Sequence, residues 1–529
     1  MSHSVYLKPN VLAEPLFNQW YAWPYLIPPV CAAMYVANAH LKMMESFVAA
    51  PQVHAAALKN PAMLGGPFIN HGAQKVGEIR ELIQSTKAGQ AHLLELAGAV
   101  KELEATLTAE ADGSSLEPFY ERVPGPLRGY VELVYDLRSH PSVRFIEGLL
   151  YQSKYYDEAA QSVVLSETTC DGRPFVFSTP RLKSDGGLHI NVPFRHEGLD
   201  ELFRMRSVPQ PPERARELLN VAAAEMPLLS TLFTEDAPEP AAQFEGSGLR
   251  VRYFGHACVL LESRGVSILC DPVVSYKYDG GTSRYTFADL PETIDYVLLT
   301  HNHQDHVMFE TLLQLRHKIR NVVVPRGTGG DRIDPSLKRI LQAIGFKQVD
   351  EIDVLEKIDV GDGYIVGLPF LGEHADLDIR TKAAYYVNLQ GHSVVLAADS
   401  NNLEPRLYEH IHELIGDVDV LLLGMECDGA PMSWLYGPLL TSPLSRKNDQ
   451  SRRFNGSTYD KAIAIVEQLR PQQVYVYAMG QEPWCTFLTS IQYTDQSRPI
   501  LHSNRLVNDC RGRGLTAELL FGHKEIHLP

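Results

Sequence analysis

The sequence predicts an α/β protein in two parts: a mixed α+β N-terminal domain over residues 1–245 and a metal-binding α/β domain over 249–529. Three observations carry this. Residues 235–242 are rich in Pro, Ala and acid, and Gly246-Ser247-Gly248 follows, as at a linker near 235–248. Beyond Leu249, short apolar β runs alternate with helical intervals. One run, 294–300, leads straight into His301-Asn302-His303-Gln304-Asp305-His306, which packs three imidazoles and a carboxylate into six residues.

The elements follow in order. Residues 20–39 carry no charge over a length able to span a bilayer. Pro24, Pro28 and Pro29 interrupt them, and their Tyr and Trp are central, so a buried or dimer-facing segment is expected. Apolar spacing over 78–107 predicts one or two helices, and 129–151 also reads as helical. The stretch 162–194 turns β-like, with Phe175-Val176-Phe177 and His189-Ile190-Asn191-Val192. With no metal-spaced cluster, this half reads as scaffold, oligomer contact or lid. After the linker, 250–262 alternates as a strand and 266–270 forms a second, ending at Asp271-Pro272. Further β runs lie at 321–324, 364–370, 384–389, 393–398, 418–423 and 473–477, with helices at 408–415 and 457–469.

At 529 residues the chain exceeds one ordinary core. A formal charge of −16 argues against nucleic-acid binding. Seven scattered cysteines with no CxxC pair fit a reducing compartment, and the N-terminus lacks the form of a signal peptide, so a cytoplasmic protein is expected.

In the His301–His306 loop, alternate side chains His301 and His303 can face one ion while Asp305 and His306 reach a second. His and Asp suit zinc, iron and manganese alike. The motif is the signature of the metallo-β-lactamase superfamily, and 253–262 followed by Ile268-Leu269-Cys270-Asp271-Pro272 resembles that fold's opening strands. The resemblance implies an αββα sandwich over about 249–529, with Asp271 structural and two ligands downstream. Asp399, at the end of 393–399, is the expected bridging carboxylate; its other reading is a cap for the segment that follows. For the remaining position, Glu373 and His374 stand side by side. A hydrolytic zinc site would use His374. A site using Glu373 would hold three imidazoles and three carboxylates, hard anionic ligands that stabilise ferric iron and can open a position for O₂. The last His usual in hydrolytic members is missing from 474–482, with His502 and His523 as substitutes elsewhere.

With these features the chain resembles the non-haem diiron β-hydroxylases of nonribosomal peptide assembly. The resemblance implies metal ligands His301, His303, Asp305, His306, Glu373 and Asp399, with Glu373 and Asp399 as catalytic candidates; Glu426, in the 423–437 loop, is a further candidate from the sequence itself, its other reading an ordinary strand-end acid. It implies two Fe ions with O₂ as co-substrate, and an amino acid, aromatic or branched, held as a thioester on the phosphopantetheine arm of an acidic carrier domain. No GxGxxG element for a flavin or nicotinamide is evident, so a separate reductase supplies electrons. A homodimer is also expected. Two loops are candidates for outside contacts: 423–437, as a pocket wall, and the basic stretch 445–453, with Arg452 and Arg453, as a carrier dock. The alternative is a two-zinc hydrolase acting on a lactone, thioester or phosphodiester.

Overall fold

Two seven-stranded sheets stack face to face between residues 249 and 529. The first runs Val349–Ile352, Ile319–Pro325, Ile294–Leu298, Ser267–Cys270, Cys258–Glu262, Leu249–Gly255, Lys524–Leu528. The second runs Lys357–Val360, Gly363–Leu368, Ala384–Leu389, His392–Leu396, Val420–Gly424, Gln473–Tyr477, Thr516–Leu519. This computed structural model describes residues 4–239 and 244–529, so 240–243 of the expected linker lie outside the described residues.

The inner faces share one core, where Val251, Val259, Leu261, Ile268 and Leu298 pack with Val387, Val394, Leu396, Val420 and Leu422. Helices Arg406–Ile415, Tyr459–Leu469 and Arg498–Gly512 cover the outside of the second sheet through Ile411, Ile465, Leu469 and Leu506. The outside of the first sheet is covered differently. Leu260, Leu269, Val297, Val322 and Val324 share a core with helices Phe309–Leu315 and Leu337–Ala343, and also with Trp20, Tyr25, Val30 and Leu96 from the N-terminal half. The αββα expectation holds, with N-terminal residues added to one outer layer.

Each sheet contains a parallel block: 267–270 through 349–352 in the first, 392–396 through 516–519 in the second. Covered on both faces, these strands are nearly continuous apolar runs, such as Val420-Leu421-Leu422-Leu423. Their carboxyl ends open toward one crevice, where an α/β sheet places its chemistry.

In the N-terminal half, strand Val11–Phe17 pairs with Gln161–Glu167 and Trp20–Tyr21, and Leu188–Ile190 completes that sheet. Helices Val76–Gly89 and Ala91–Glu110 fill the predicted 78–107. The helix expected over 129–151 is instead a hairpin, Val131–Tyr135 with Pro141–Phe145, followed by one short helical turn. Val131, Leu133, Val143 and Phe145 alternate into the core, and Asp136 Oδ1 accepts the N–H groups of Arg138 and His140 at 2.8 Å to close the turn. Phe175-Val176-Phe177 is not a strand, and 250–262 is two strands joined by a tight turn at His256. Residues 20–36 are buried by their own chain, with Trp20 and Tyr25 at most 1% exposed, and 37–39 are half-buried. Among the described residues no helix is long and apolar enough to cross a membrane.

A buried ion network ties the halves together. Arg173 grips Glu310 with two 2.9 Å bonds and reaches Glu14 at 2.9 Å, while Arg181 binds Glu14 with two 2.8 Å bonds. Glu310 lies in the helix directly after the His-rich loop and also accepts from Tyr21 and Tyr276. Burial raises the Glu14 pKa, but Arg181 and Arg173 outweigh it and hold the carboxyl down at about 2, from 4.5. The folded pKa is depressed, so this stabilisation, about 3 kcal/mol, is present above pH ~4.5 and is lost as pH falls toward ~2. Urea midpoints measured between pH 7 and 3 are expected to fall through this window. Glu14→Gln should start lower at pH 7, because it leaves buried guanidinium under-paired, and decline less below pH 4.5. Parallel pH curves for the two proteins would count against this assignment.

Candidate metal centre

The crevice gathers residues from seven chain segments. Strand Ile294–Leu298 delivers the His301 loop, and the neighbouring parallel strand Ser267–Cys270 delivers Asp271. Asp271 is fully buried and takes three hydrogen bonds, from Thr300 N (2.8 Å), Thr300 Oγ1 (2.6 Å) and His306 Nδ1 (2.7 Å). In the second sheet, strand His392–Leu396 ends at Ala398-Asp399, where Tyr477 Oη accepts the Ala398 N–H at 2.9 Å. Gly424 lies against this turn, since a Cβ there would sit 2.7 Å from both Ala398 O and Asp399 Oδ1. Residues 300–301 run alongside 382–383, with Ala383 N donating to Thr300 O at 2.8 Å, which fixes one sheet edge against the other.

These contacts set the histidine tautomers. The Asp271 carboxylate accepts from His306 Nδ1–H, leaving Nε2 to face Asp399 Oδ2 at 2.9 Å. Thr300 Oγ1 spends its proton on Asp271 and accepts from His301 Nδ1 at 3.0 Å, so His301 Nε2 faces inward. His303 Nε2 meets Tyr436 Oη at 3.3 Å, leaving Nδ1 toward His301 Nε2 (3.1 Å) and Glu373 Oε1 (3.3 Å). Outer partners that orient each imidazole are what a metal site requires.

Among the described residues, three donor groups converge: His301, His303 and Glu373; His301, His306 and Asp399; His256, Asp305 and His306. All six sequence-predicted ligands are brought together. Asp399 Oδ1 is buried without a hydrogen-bond partner, as suits a carboxylate placed between two ions. His374 joins none of these groups. Its ring lies against His303, tilted by 32° at 4.5 Å between centroids, and neither ring nitrogen has a partner. The charges also call for cations. Burial, then Asp399, Asp305 and Glu426, pushes Glu373 well above the usual carboxylate range. Burial opposes charging of His306, yet Asp399 and Asp271 outweigh it and raise its pKa. Three carboxylates and three imidazoles, aimed at shared points, fit two adjacent iron ions.

His256 was missed from the sequence. It sits in the tight turn between strands Leu249–Gly255 and Cys258–Glu262, 2% exposed, with Nε2 3.3 Å from Asp305 Oδ2. Its Nδ1 accepts the Gly480 N–H at 3.1 Å, so the proton is on Nε2 and points at Asp305. That makes it a donor that orients Asp305. The only sequence signal was a histidine beside Gly255 at a strand end. The substitutes for a last ligand do not serve: His502 Nδ1 accepts from Tyr459 N, and His523 packs on Tyr285.

Glu426 ends strand Val420–Gly424 but enters no donor group. Its carboxylate accepts the Gly429 N–H, and burial lifts its pKa to about 7. The 423–437 segment is packed wall: Met432 and Tyr436 are 1% exposed, and Trp434 Nε1 donates to Gly65 O. Tyr436 stands with Tyr25, their rings 5.7 Å apart, and Tyr25 Oη accepts from Asn302 Nδ2 at 3.2 Å. The N-terminal half thus supports the metal loop directly.

The family model of the diiron non-heme beta-hydroxylase N-terminal domain matches residues 6–238, and that of the beta-lactamase superfamily domain matches 250–436. The chain is 40% identical over 531 residues, 99% of each sequence, to the 4-amino-L-phenylalanyl-[CmlP-peptidyl-carrier-protein] 3-hydroxylase of Streptomyces venezuelae. It belongs to the diiron β-hydroxylase family. The crystal structure of CmlA, a diiron beta-hydroxylase from Streptomyces venezuelae, superposes with a TM-score of 0.94 at 39% identity, covering 100% of both chains. A mutant of that enzyme matches at 0.91 and 40% identity, covering 99% of this chain and 100% of its own. This diiron β-hydroxylase is therefore an oxygenase whose cofactor is a non-haem iron pair, and the two-zinc hydrolase alternative is set aside.

Proposed function

We propose that this enzyme inserts one oxygen of O₂ at the β-carbon of an amino acid held as a thioester on a peptidyl carrier protein. The observation that carries this reading is the placement of Glu373, 3.3 Å from His303 Nδ1, in the position where a hydrolytic site would use His374. The full-length likeness to a hydroxylase of a carrier-bound amino acid supports the substrate class.

In this reading His301, His303 and Glu373 would hold one iron and Asp305 and His306 the other, with Asp399 in reach of His301 and His306. When bound, the iron pair supplies O₂ activation and C–H hydroxylation. The chain's own residues fix the geometry. Asp271 and Thr300 keep the ring protons of His306 and His301 on Nδ1. Tyr436 Oη accepts a hydrogen bond from His303 Nε2–H, and His256 steadies Asp305. The packed wall of Met432 and Tyr436 excludes water from the His303 side. Glu426, buried with a pKa of about 7, is the group suited to hold or pass a proton near Asp399 and Glu373.

The reading assigns residues 1–245 as support and 249–529 as the catalytic part, in line with the sheet layout. It places the enzyme in the cytoplasm, consistent with seven free cysteines, with an external electron donor and as a homodimer on family likeness. Metal analysis and mass spectrometry test it. Aerobically purified protein should hold two irons per chain with ferric absorption. With a reductant, it should add the mass of one oxygen to an aminoacyl carrier and leave the free amino acid unchanged. Two zincs, or hydrolysis of the thioester without oxygen gain, would sink the proposal.

A further inference from the structure

The segment bearing Glu373 has an unusual backbone. Gly372, Glu373, Ala375 and Asp376 all lie in the left-handed region, at φ 74°, 63°, 53° and 57°. Three of them carry a Cβ, for which this region is disfavoured. At Gly372 a Cβ would also stand 2.5 Å from Asn401 Cβ. Such a turn persists only where its surroundings over-determine it.

Backbone bonds shape it, with His374 N donating to Gly372 O (2.8 Å), Leu377 N to His374 O (3.0 Å) and Asn401 N to Leu371 O (2.9 Å), and two cations close on its ends. Lys382 Nζ donates to the carbonyl of Gly372 at 3.1 Å, immediately before Glu373. Arg452 Nε donates to the carbonyl of Ala375 at 2.8 Å, two residues after it. Among the described residues neither cation forms an ion pair with a carboxylate, so their charge is directed at this turn. Each is itself anchored. Lys382 bridges to His301 just before strand Ala384–Leu389, and its ammonium lies over the Phe370 ring. Arg452 is tied through its backbone, with its carbonyl accepting Met432 N–H at 3.0 Å and its N–H reaching Asn448 O at 3.1 Å. The neighbouring Arg453 does the same for the Glu426 turn, donating to the carbonyls of Asp428 and Gly429. The basic 445–453 stretch is thus largely turned inward. Arg446 and Lys447 remain exposed, whereas the two arginines expected to dock a carrier are engaged with backbone.

We infer that Lys382 and Arg452 are positioning residues, a two-cation clamp on the carbonyls flanking Glu373 that holds the left-handed turn and presents its carboxylate to the metal beside His303. This rests on the reading of Glu373 as a ligand. Hydrogen bonds from charged donors are stronger than neutral ones, and here they act where Glu373, Asp399, Asp305 and Glu426 crowd negative charge.

The experiment compares full-length wild type, Lys382→Met, Arg452→Met, Lys382→Arg, Arg452→Lys and the surface control Lys447→Glu. Bound iron is measured after dialysis against a chelator, together with the visible spectrum, thermal melting and affinity for a loaded carrier. The clamp predicts that each Met variant stays folded, retains iron at the Glu373 position about 10- to 100-fold less tightly, and shows an altered spectrum. Arg452→Lys and Lys382→Arg should restore most of both. Arg452→Met should leave carrier affinity unchanged. Met variants with wild-type iron retention and spectrum would overturn the inference. So would losses that follow melting temperature alone and are not restored by the conservative replacements. If wild type itself held no iron, the functional reading would fail instead, and the same comparison with Zn²⁺ would still decide the clamp.

Discussion

Glu373→Ala protein is expected to retain about one iron per chain and to lose hydroxylation by at least about 100-fold. Loss of an outer-shell partner alone costs roughly 10- to 100-fold, so loss of a ligand should exceed that. His374 does not take over, because its ring packs against His303 and lies outside every donor group among the described residues. The effect on the metal-free fold should run the other way. Glu373 is buried among Asp399, Asp305 and Glu426, and removing it relieves that repulsion. Metal-free Glu373→Ala should therefore melt no lower than metal-free wild type, while the iron-loaded forms diverge. Iron analysis, melting curves and the mass of the carrier-bound product check all three statements. Two retained irons with full turnover would remove Glu373 from the ligand set.

The second large effect is expected at Asp271, which touches no ion. Asp271→Ala strands three buried donors: Thr300 N–H, the Thr300 hydroxyl and His306 Nδ1–H. Each unsatisfied group costs about 1–3 kcal/mol, so metal-free protein should lose at least about 3 kcal/mol in urea unfolding. The orientations of His301 and His306 go with it, so iron retention should fall for both ions. Asp271→Asn keeps the shape and one acceptor and should fall between. An unchanged urea midpoint for Asp271→Ala would show that Thr300 and His306 find other partners.

Much of this was readable in the chain before its fold. The His301–His306 loop and Asp399 stand at the ends of apolar strands, so local pattern and chemistry coincide there. Glu373 against His374 was not readable, because which of two neighbours turns inward depends on a left-handed turn held by Lys382, ten residues on from Gly372, and by Arg452, 77 residues on from Ala375. His256 was invisible for a similar reason: its role comes from Gly480 and Asp305, which only the folded sheets bring near. Residues 129–151 misled because Val131, Val134 and Tyr135 also fall at helical spacing, while the period-two alternation of Val131, Leu133, Val143 and Phe145 is broken by the turn at Asp136. Arg452 and Arg453 looked like surface charge because nothing local reveals a carbonyl partner 77 or 24–25 residues away.

The shared core on the outer face of the first sheet has an evolutionary consequence. Leu260, Val297 and Val322 are covered in part by residues such as Trp20, Tyr25 and Leu96, so neither half has a finished surface without the other. A gene fragment starting near residue 249 would encode a sheet with an open apolar side, prone to aggregate. The halves are therefore bound to be inherited as a pair. Substitutions along the seam should arise as compensating changes on both sides, whereas the helices over the second sheet are free to drift alone.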